Sequence, residues 1–114
     1  MASAYRCVYL RVHPTGKCTL SLSCDDGGQG ANLAAIVGDA VRKTCAKIKD
    51  KSRYLAGGML GTSPQSLNWS GDNFGGKRIE EIALYAHAGA IELPAGPDGR
   101  QLEGSLDAQT TFTN

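Results

Sequence analysis

The chain opens on an alternating stretch. From Tyr5 to Val12 apolar Val8, Leu10 and Val12 share one face, which predicts a β-strand. His13-Pro14-Thr15-Gly16 reads as a turn, because proline pre-sets φ and glycine tolerates positive φ. Cys18-Thr19-Leu20-Ser21-Leu22-Ser23-Cys24 alternates again, apolar then hydroxyl. Together they predict a β-hairpin pairing Val12 with Cys18, Leu10 with Leu20 and Val8 with Leu22. Asp25-Asp26-Gly27-Gly28-Gln29-Gly30 is a loop, and then the period changes. Leu33, Ile36, Val37, Ala40, Val41, Cys45 and Ile48 recur at steps of three and four, predicting an amphipathic helix over 32–49 with Asn32 as N-cap.

The second half is less regular. Tyr54 to Leu60 is apolar and Gly-rich and is expected to be a strand, and Ser66 to Trp69 a shorter one. Lys77 to His87 has a helical face of Ile79, Ile82, Ala83 and Ala86, with Glu80 and Glu81 suited to a first turn. Ile82, Leu84 and Ala86 also alternate, so a strand is the alternative there. Ala90 to Leu93 is expected to be a further strand. Beyond Pro94 the chain is polar and Gly-rich, an extended or flexible tail over 94–114 with one edge strand near Thr110-Thr111-Phe112. The order predicts one α+β domain over 1–114: a small antiparallel sheet with two helices on one face, a split-βαβ (βαββαβ) arrangement with an extra N-terminal strand.

Composition fits one domain and changes the picture in three places. One Trp and two Phe leave the core to Leu, Ile, Val and Ala, and 15 Gly imply frequent turns. Net charge is +1, yet residues 1–57 hold nine Lys/Arg against four Asp/Glu and residues 58–114 three against seven. Arg42, Lys43, Lys47, Lys49, Lys51 and Arg53 form the densest basic cluster: a solvated helix face, or a patch for phosphate, anionic lipid or an acidic partner. Cys7, Cys18, Cys24 and Cys45 are even in number and lack paired C-x-x-C spacing, which favours disulfides in an oxidising compartment over zinc or a redox pair. If the helix runs back over the hairpin, its rise carries Cys45 over Cys18. That predicts a Cys18–Cys45 bridge, adding roughly 3–4 kcal/mol in the chain-entropy model, and leaves Cys7–Cys24. Asn68-Trp69-Ser70 is an N-glycosylation sequon.

Catalytic signatures are sparse. His13 and His87 are the only histidines; with a lysine they would make a ribonuclease-like acid/base set, but turn and surface roles explain both. Asp25-Asp26 lacks the EF-hand pattern. Phosphate-loop, dinucleotide and nucleophile-elbow motifs do not occur, and basic residues are not interleaved with aromatics as nucleic-acid modules require. No cofactor or metal is implied. Trp69 and Phe74 on a Gly-rich loop could stack on a sugar or base, or close a core edge. No apolar run reaches membrane-span length.

Two family resemblances add to this. Arg6-Cys7-Val8-Tyr9-Leu10, the amphipathic helix, Ala56-Gly57-Gly58-Met59 and Ser66-Leu67-Asn68-Trp69 resemble the killer-toxin-like group of small secreted fungal effectors. That resemblance implies secretion, here as a mature form without signal peptide, no catalysis, and binding to a host protein or membrane target. Trp69-Ser70-Gly71-Asp72-Asn73-Phe74, Ile82, Leu84, Asp98-Gly99 and Leu106-Asp107 are similar to one half of a cyanovirin-like lectin repeat, which implies an all-β fold and glycan binding. The leading expectation is a noncatalytic secreted binding protein of effector or toxin type, acting on a host protein or anionic surface. A lectin is the second reading and a small ribonuclease the third.

Overall fold

The structure is a computed structural model that describes residues 6–23, 30–88 and 93–112. The fold is α+β. Strand β1 (Arg6–Val12) and strand β2 (Cys18–Ser23) form the hairpin in the expected register, Val12 opposite Cys18, Leu10 opposite Leu20 and Val8 opposite Leu22. The other side of β1 is taken by β6 (Leu106–Phe112), also antiparallel, with Val12 opposite Leu106 and Val8 opposite Thr110. The sheet order is therefore β2-β1-β6. Its inner face carries Val8, Val12, Leu106 and Thr110, all buried under helix α1 (Gly30–Leu60) and helix α2 (Ile79–Ala88).

Helix α1 runs through both the expected helix and the expected strand at 54–60. Its 31 residues rise about 46 Å at 1.5 Å each, which accounts for the 49 Å long dimension of the molecule. Glycine disfavours helix by about 1 kcal/mol relative to Ala, yet packing overrides that local cost at Gly58. A Cβ there would lie 2.7 Å from Pro94 Cγ, so only glycine lets the 93–105 segment close on the helix. The helix stops at Gly61, whose φ of +69° lets the Thr62 N–H donate back to the Gly57 carbonyl at 3.0 Å.

The buried line of α1 is Ala40, Thr44, Ile48, Ser52, Leu55 and Ala56. Two hydroxyls sit inside it at no hydrogen-bonding loss. Thr44 Oγ1 donates to the Ala40 carbonyl at 2.8 Å and Ser52 Oγ to the Ile48 carbonyl at 2.7 Å; Thr44 also bonds Thr110 Oγ1 across to the sheet at 2.8 Å. Cys45, expected on that line, is exposed.

Between the helices, the strand expected at Ser66 to Trp69 is replaced by a 3-10 turn (Pro64–Ser66) and a separate meander that begins only at Trp69. Strands β3 (Trp69–Ser70), β4 (Asn73–Phe74) and β5 (Lys77–Arg78) have two residues each and make their own antiparallel sheet, order β3-β4-β5. The single split-βαβ sheet is thus corrected to two small sheets. Strands this short, reversed at Gly71 and at Gly75-Gly76, cannot span the main sheet, and the C-terminal β6 fills the place beside β1 instead. Of the segment Lys77 to His87, Lys77-Arg78 forms β5 and the rest, from Ile79, is helix: Ile82, Ala83 and Ala86 are buried while Leu84 is 56% exposed, which only the 3.6 period produces. Glu81 Oε1 accepts from the Arg78 N–H at 3.3 Å and closes the helix start.

The Cys18–Cys45 bridge does not form. Cys7, Cys18 and Cys45 are free thiols, with Cys18 and Cys45 exposed. The helices pack on β1 and β6 and leave β2 uncovered, so Cys18 faces open space, and α1 turns Thr44 rather than Cys45 toward the sheet. Cys24, the Asp25-Asp26 loop and most of the strand expected at 90–93 lie outside the described residues.

Candidate functional site

The basic cluster of α1 does not form one stripe. Residues four apart share a helix face, and the cations divide between two flanks. Lys47 and Lys51 turn toward β6: Lys47 Nζ donates to the Gln109 carbonyl at 2.8 Å, and Lys51 Nζ lies 3.8 Å from Asp107 Oδ1. Lys49 and Arg53 turn toward the meander. Nearer the N-terminus, Arg42 and Lys43 both hold Asp39, at 3.2 and 3.1 Å. The hydrogen bond from Lys43, then that from Arg42, keeps the Asp39 carboxyl below its ordinary pKa.

On the meander flank the structure gathers four of the expected residues. Lys49 Nζ stands 5.4 Å from the Trp69 ring centroid, and the Arg53 guanidinium 5.6 Å from that of Phe74. Trp69 and Phe74 face each other across the β3–β4 pair and meet edge to face at 5.1 Å. Phe74 is fully buried, so it supports Trp69 rather than meeting a ligand, whereas Trp69 is half-buried. Arg53 lies 3.7 Å from Asp50, and its Nε is buried without a partner. Lys49 has no carboxylate partner among the described residues. The i, i+4 spacing of Lys49 and Arg53 was visible in the sequence; their facing of Trp69 and Phe74, twenty residues on, was not.

Two open grooves flank α1. One, of about 420 Å³, is lined by Lys47, Asp50, Lys51, Asp98, Arg100 and Glu103, charges of both signs. The other, of about 370 Å³, lies between α1 and β6 and includes Ile36, Asp39, Lys43 and Phe112. His13 sits in the β1–β2 turn with Nε2 2.7 Å from Thr19 Oγ1, and His87 is exposed in the last turn of α2; neither lines these grooves. Asn68 of the sequon is exposed. Among the described residues no three of His, Cys, Asp and Glu converge as a metal site would require, and no helix is long and apolar enough to cross a membrane.

The outer face of the main sheet holds a polar cluster that the sequence did not flag. Tyr9 Oη donates to Asp107 Oδ2 at 2.8 Å. That hydrogen bond, with burial and the Asp107 charge adding and Arg11 opposing, raises the Tyr9 pKa above its usual 10.0. A raised folded-state pKa means the native state holds this proton more tightly than the unfolded chain. The stabilisation is complete below the ordinary tyrosine pKa and disappears as pH rises through the folded value. Urea midpoints measured from neutral to strongly alkaline pH are expected to fall in that alkaline window, and Tyr9→Phe to lose this part of the fall. An identical alkaline profile in Tyr9→Phe would show that the pair does not contribute.

No protein-family model matches this sequence, and no curated protein does. A solved structure is similar in fold: the Cu,Mo-CO dehydrogenase in its carbon monoxide-reduced state, at TM-score 0.73 and 20% identity. The match covers 94% of this chain and 18% of that one, so the chain spans less than a fifth of the length of the protein it resembles. At that identity, what the two share is a fold.

Proposed function

We propose that the chain is a noncatalytic binding protein that engages an anionic surface through Lys49 and Trp69, with Arg53 and Phe74 holding the pair from behind. The observation that carries this is the Lys49 ammonium over the half-buried Trp69 ring, without a carboxylate neighbour among the described residues, while Arg42, Lys43, Lys51 and Arg53 each have one. An amphipathic aromatic beside an unneutralised cation suits the boundary of an anionic lipid layer, where the ring sits among headgroups and the amine meets phosphate. The resemblance to killer-toxin-like effectors supplies the setting, a secreted protein acting on a host surface. The exposed Asn68 sequon supports that setting, and the three free thiols weigh against it.

Co-sedimentation with phosphatidylcholine vesicles, with and without phosphatidylserine, tests the reading. Binding is expected only with phosphatidylserine, to weaken with salt, and to drop roughly tenfold or more for Lys49→Glu, since each basic residue at such a surface is worth about 1 kcal/mol. Equal binding by Lys49→Glu, or none by the wild type, would sink it. The partly exposed Trp69 also favours the lectin reading; a glycan-array signal lost in Trp69→Ala but kept in Lys49→Glu would select that instead.

A further inference from the structure

The main sheet has two edges, and they are treated differently. His13 N–H donates to the Lys17 carbonyl at 2.8 Å, which fixes the phase of the hairpin ladder. Counting by twos, Arg11–Thr19 and Tyr9–Ser21 exchange hydrogen bonds, whereas Val12–Cys18, Leu10–Leu20 and Val8–Leu22 do not. On β2, therefore, the N–H and C=O groups of Cys18, Leu20 and Leu22 point away from β1 to the open edge. Among the described residues no strand takes them. The same count on β6 turns Asp107, Gln109 and Thr111 outward. There the Gln109 carbonyl is capped by Lys47 Nζ at 2.8 Å and Asp107 is met by Lys51, so lysines guard that edge as edge strands ordinarily require.

Among the described residues strand β2 has no such guard. Cys18-Thr19-Leu20-Ser21-Leu22-Ser23 contains no charge, no proline and no glycine. Leu20 is 56% and Leu22 50% exposed, because the helices cover β1 and β6 only. We propose that two copies of the chain join through β2, antiparallel about a two-fold axis, into one continuous sheet in the order β6-β1-β2-β2-β1-β6.

A second copy is the occupant that fits. With Leu20 opposite Leu20 of the second copy, Cys18 falls opposite Leu22 and Thr19 opposite Ser21. Apolar side chains meet apolar ones on the helix-bearing face, and hydroxyls meet hydroxyls on the other. The outward backbone groups of Cys18, Leu20 and Leu22 complete each other's ladder. An uncharged strand offers a charged peptide no complementarity and offers its own copy no repulsion.

Sedimentation equilibrium on the full chain in reductant, over loadings up to hundreds of micromolar, is expected to show a monomer–dimer equilibrium. Leu20→Pro removes an N–H that bonds nothing among the described residues of the monomer, and edge strands accept proline at such positions. It is expected to keep the helical circular dichroism and to sediment as a monomer throughout. A second variant decides the matter should that one fail to fold. With Cys7, Cys24 and Cys45 changed to Ser, Leu22→Cys is expected to cross-link to Cys18 of the other copy on oxidation, giving a covalent dimer by peptide mapping. Within one strand those sulfurs are about 13 Å apart and cannot join. A wild type that stays monomeric at every loading overturns the proposal. So does a dimer that persists in folded Leu20→Pro, or an oxidised Leu22→Cys variant without the Cys18 cross-link.

Discussion

Phe74→Ala is expected to lower the unfolding free energy by about 3–5 kcal/mol, the usual loss for a fully buried aromatic. Phe74 is completely inaccessible and belongs to the main core, although it stands on a strand of two residues. The meander has almost no ladder of its own, so its attachment depends on this ring. Removing it also takes the edge-to-face partner from Trp69 and the aromatic face from Arg53, whose buried Nε already lacks an acceptor. In urea the midpoint should fall by more than about 1 M, given slopes of about 1–3 kcal/mol/M for small domains. Trp69, the one tryptophan, should report the change as red-shifted emission before global unfolding. Phe74→Leu fills most of the space and is expected to cost less than about 1.5 kcal/mol. A loss below about 1 kcal/mol in Phe74→Ala would remove the ring from the core.

Leu55→Ala is expected to cost about 2–5 kcal/mol, and Leu84→Ala within about 0.5 kcal/mol of nothing. Both are leucines in helices, and only their faces differ. Leu55 is fully buried in the cluster that joins α1 to Ile82, Ala83 and Ala86 of α2 and to Val12 and Leu106 of the sheet. Leu84 is 56% exposed on the outer side of α2. The two variants examine 54–60, expected as a strand and found as helix, and 77–87, where helix and strand readings of the sequence compete. Denaturant titration of the two variants with unchanged slopes gives the answer; comparable losses would mean that one of these faces is assigned wrongly.

These two substitutions also mark where sequence pattern stops deciding. Hairpin register, the helix through 32–49 and the helical face of Ile79, Ile82, Ala83 and Ala86 were all legible, because each is a local periodicity of two or 3.6 written in hydropathy. The extension of α1 to Leu60 was not. Gly57-Gly58 looks like a helix breaker locally, and only the approach of Pro94, some thirty-five residues on, makes a small residue the one that fits. Partner choice in the sheet is equally non-local: nothing in the polar tail says that Leu106–Phe112 takes the free side of β1 while the middle strands curl into a meander.

The same division runs through the candidate site. Lys49, Arg53, Trp69 and Phe74 were each recognisable by residue type, and sequence by itself set the i, i+4 spacing of the first two. Which cations find a partner was decided by the tertiary structure, since Asp107 and the Gln109 carbonyl come from the far end of the chain to meet Lys51 and Lys47. So was the state of the cysteines. Hydropathy placed Cys45 on the buried line of α1 and Thr44 off it. A hydroxyl can bond the carbonyl one turn back and its counterpart on the sheet, which lets Thr44 and Ser52 lie inside and turns Cys45 out. Sequence determined which segments are helix-forming and strand-forming because those preferences act over a few residues. Tertiary structure alone decided which face is covered, which charges are paired and which edge is left open, because each depends on partners distant in the chain.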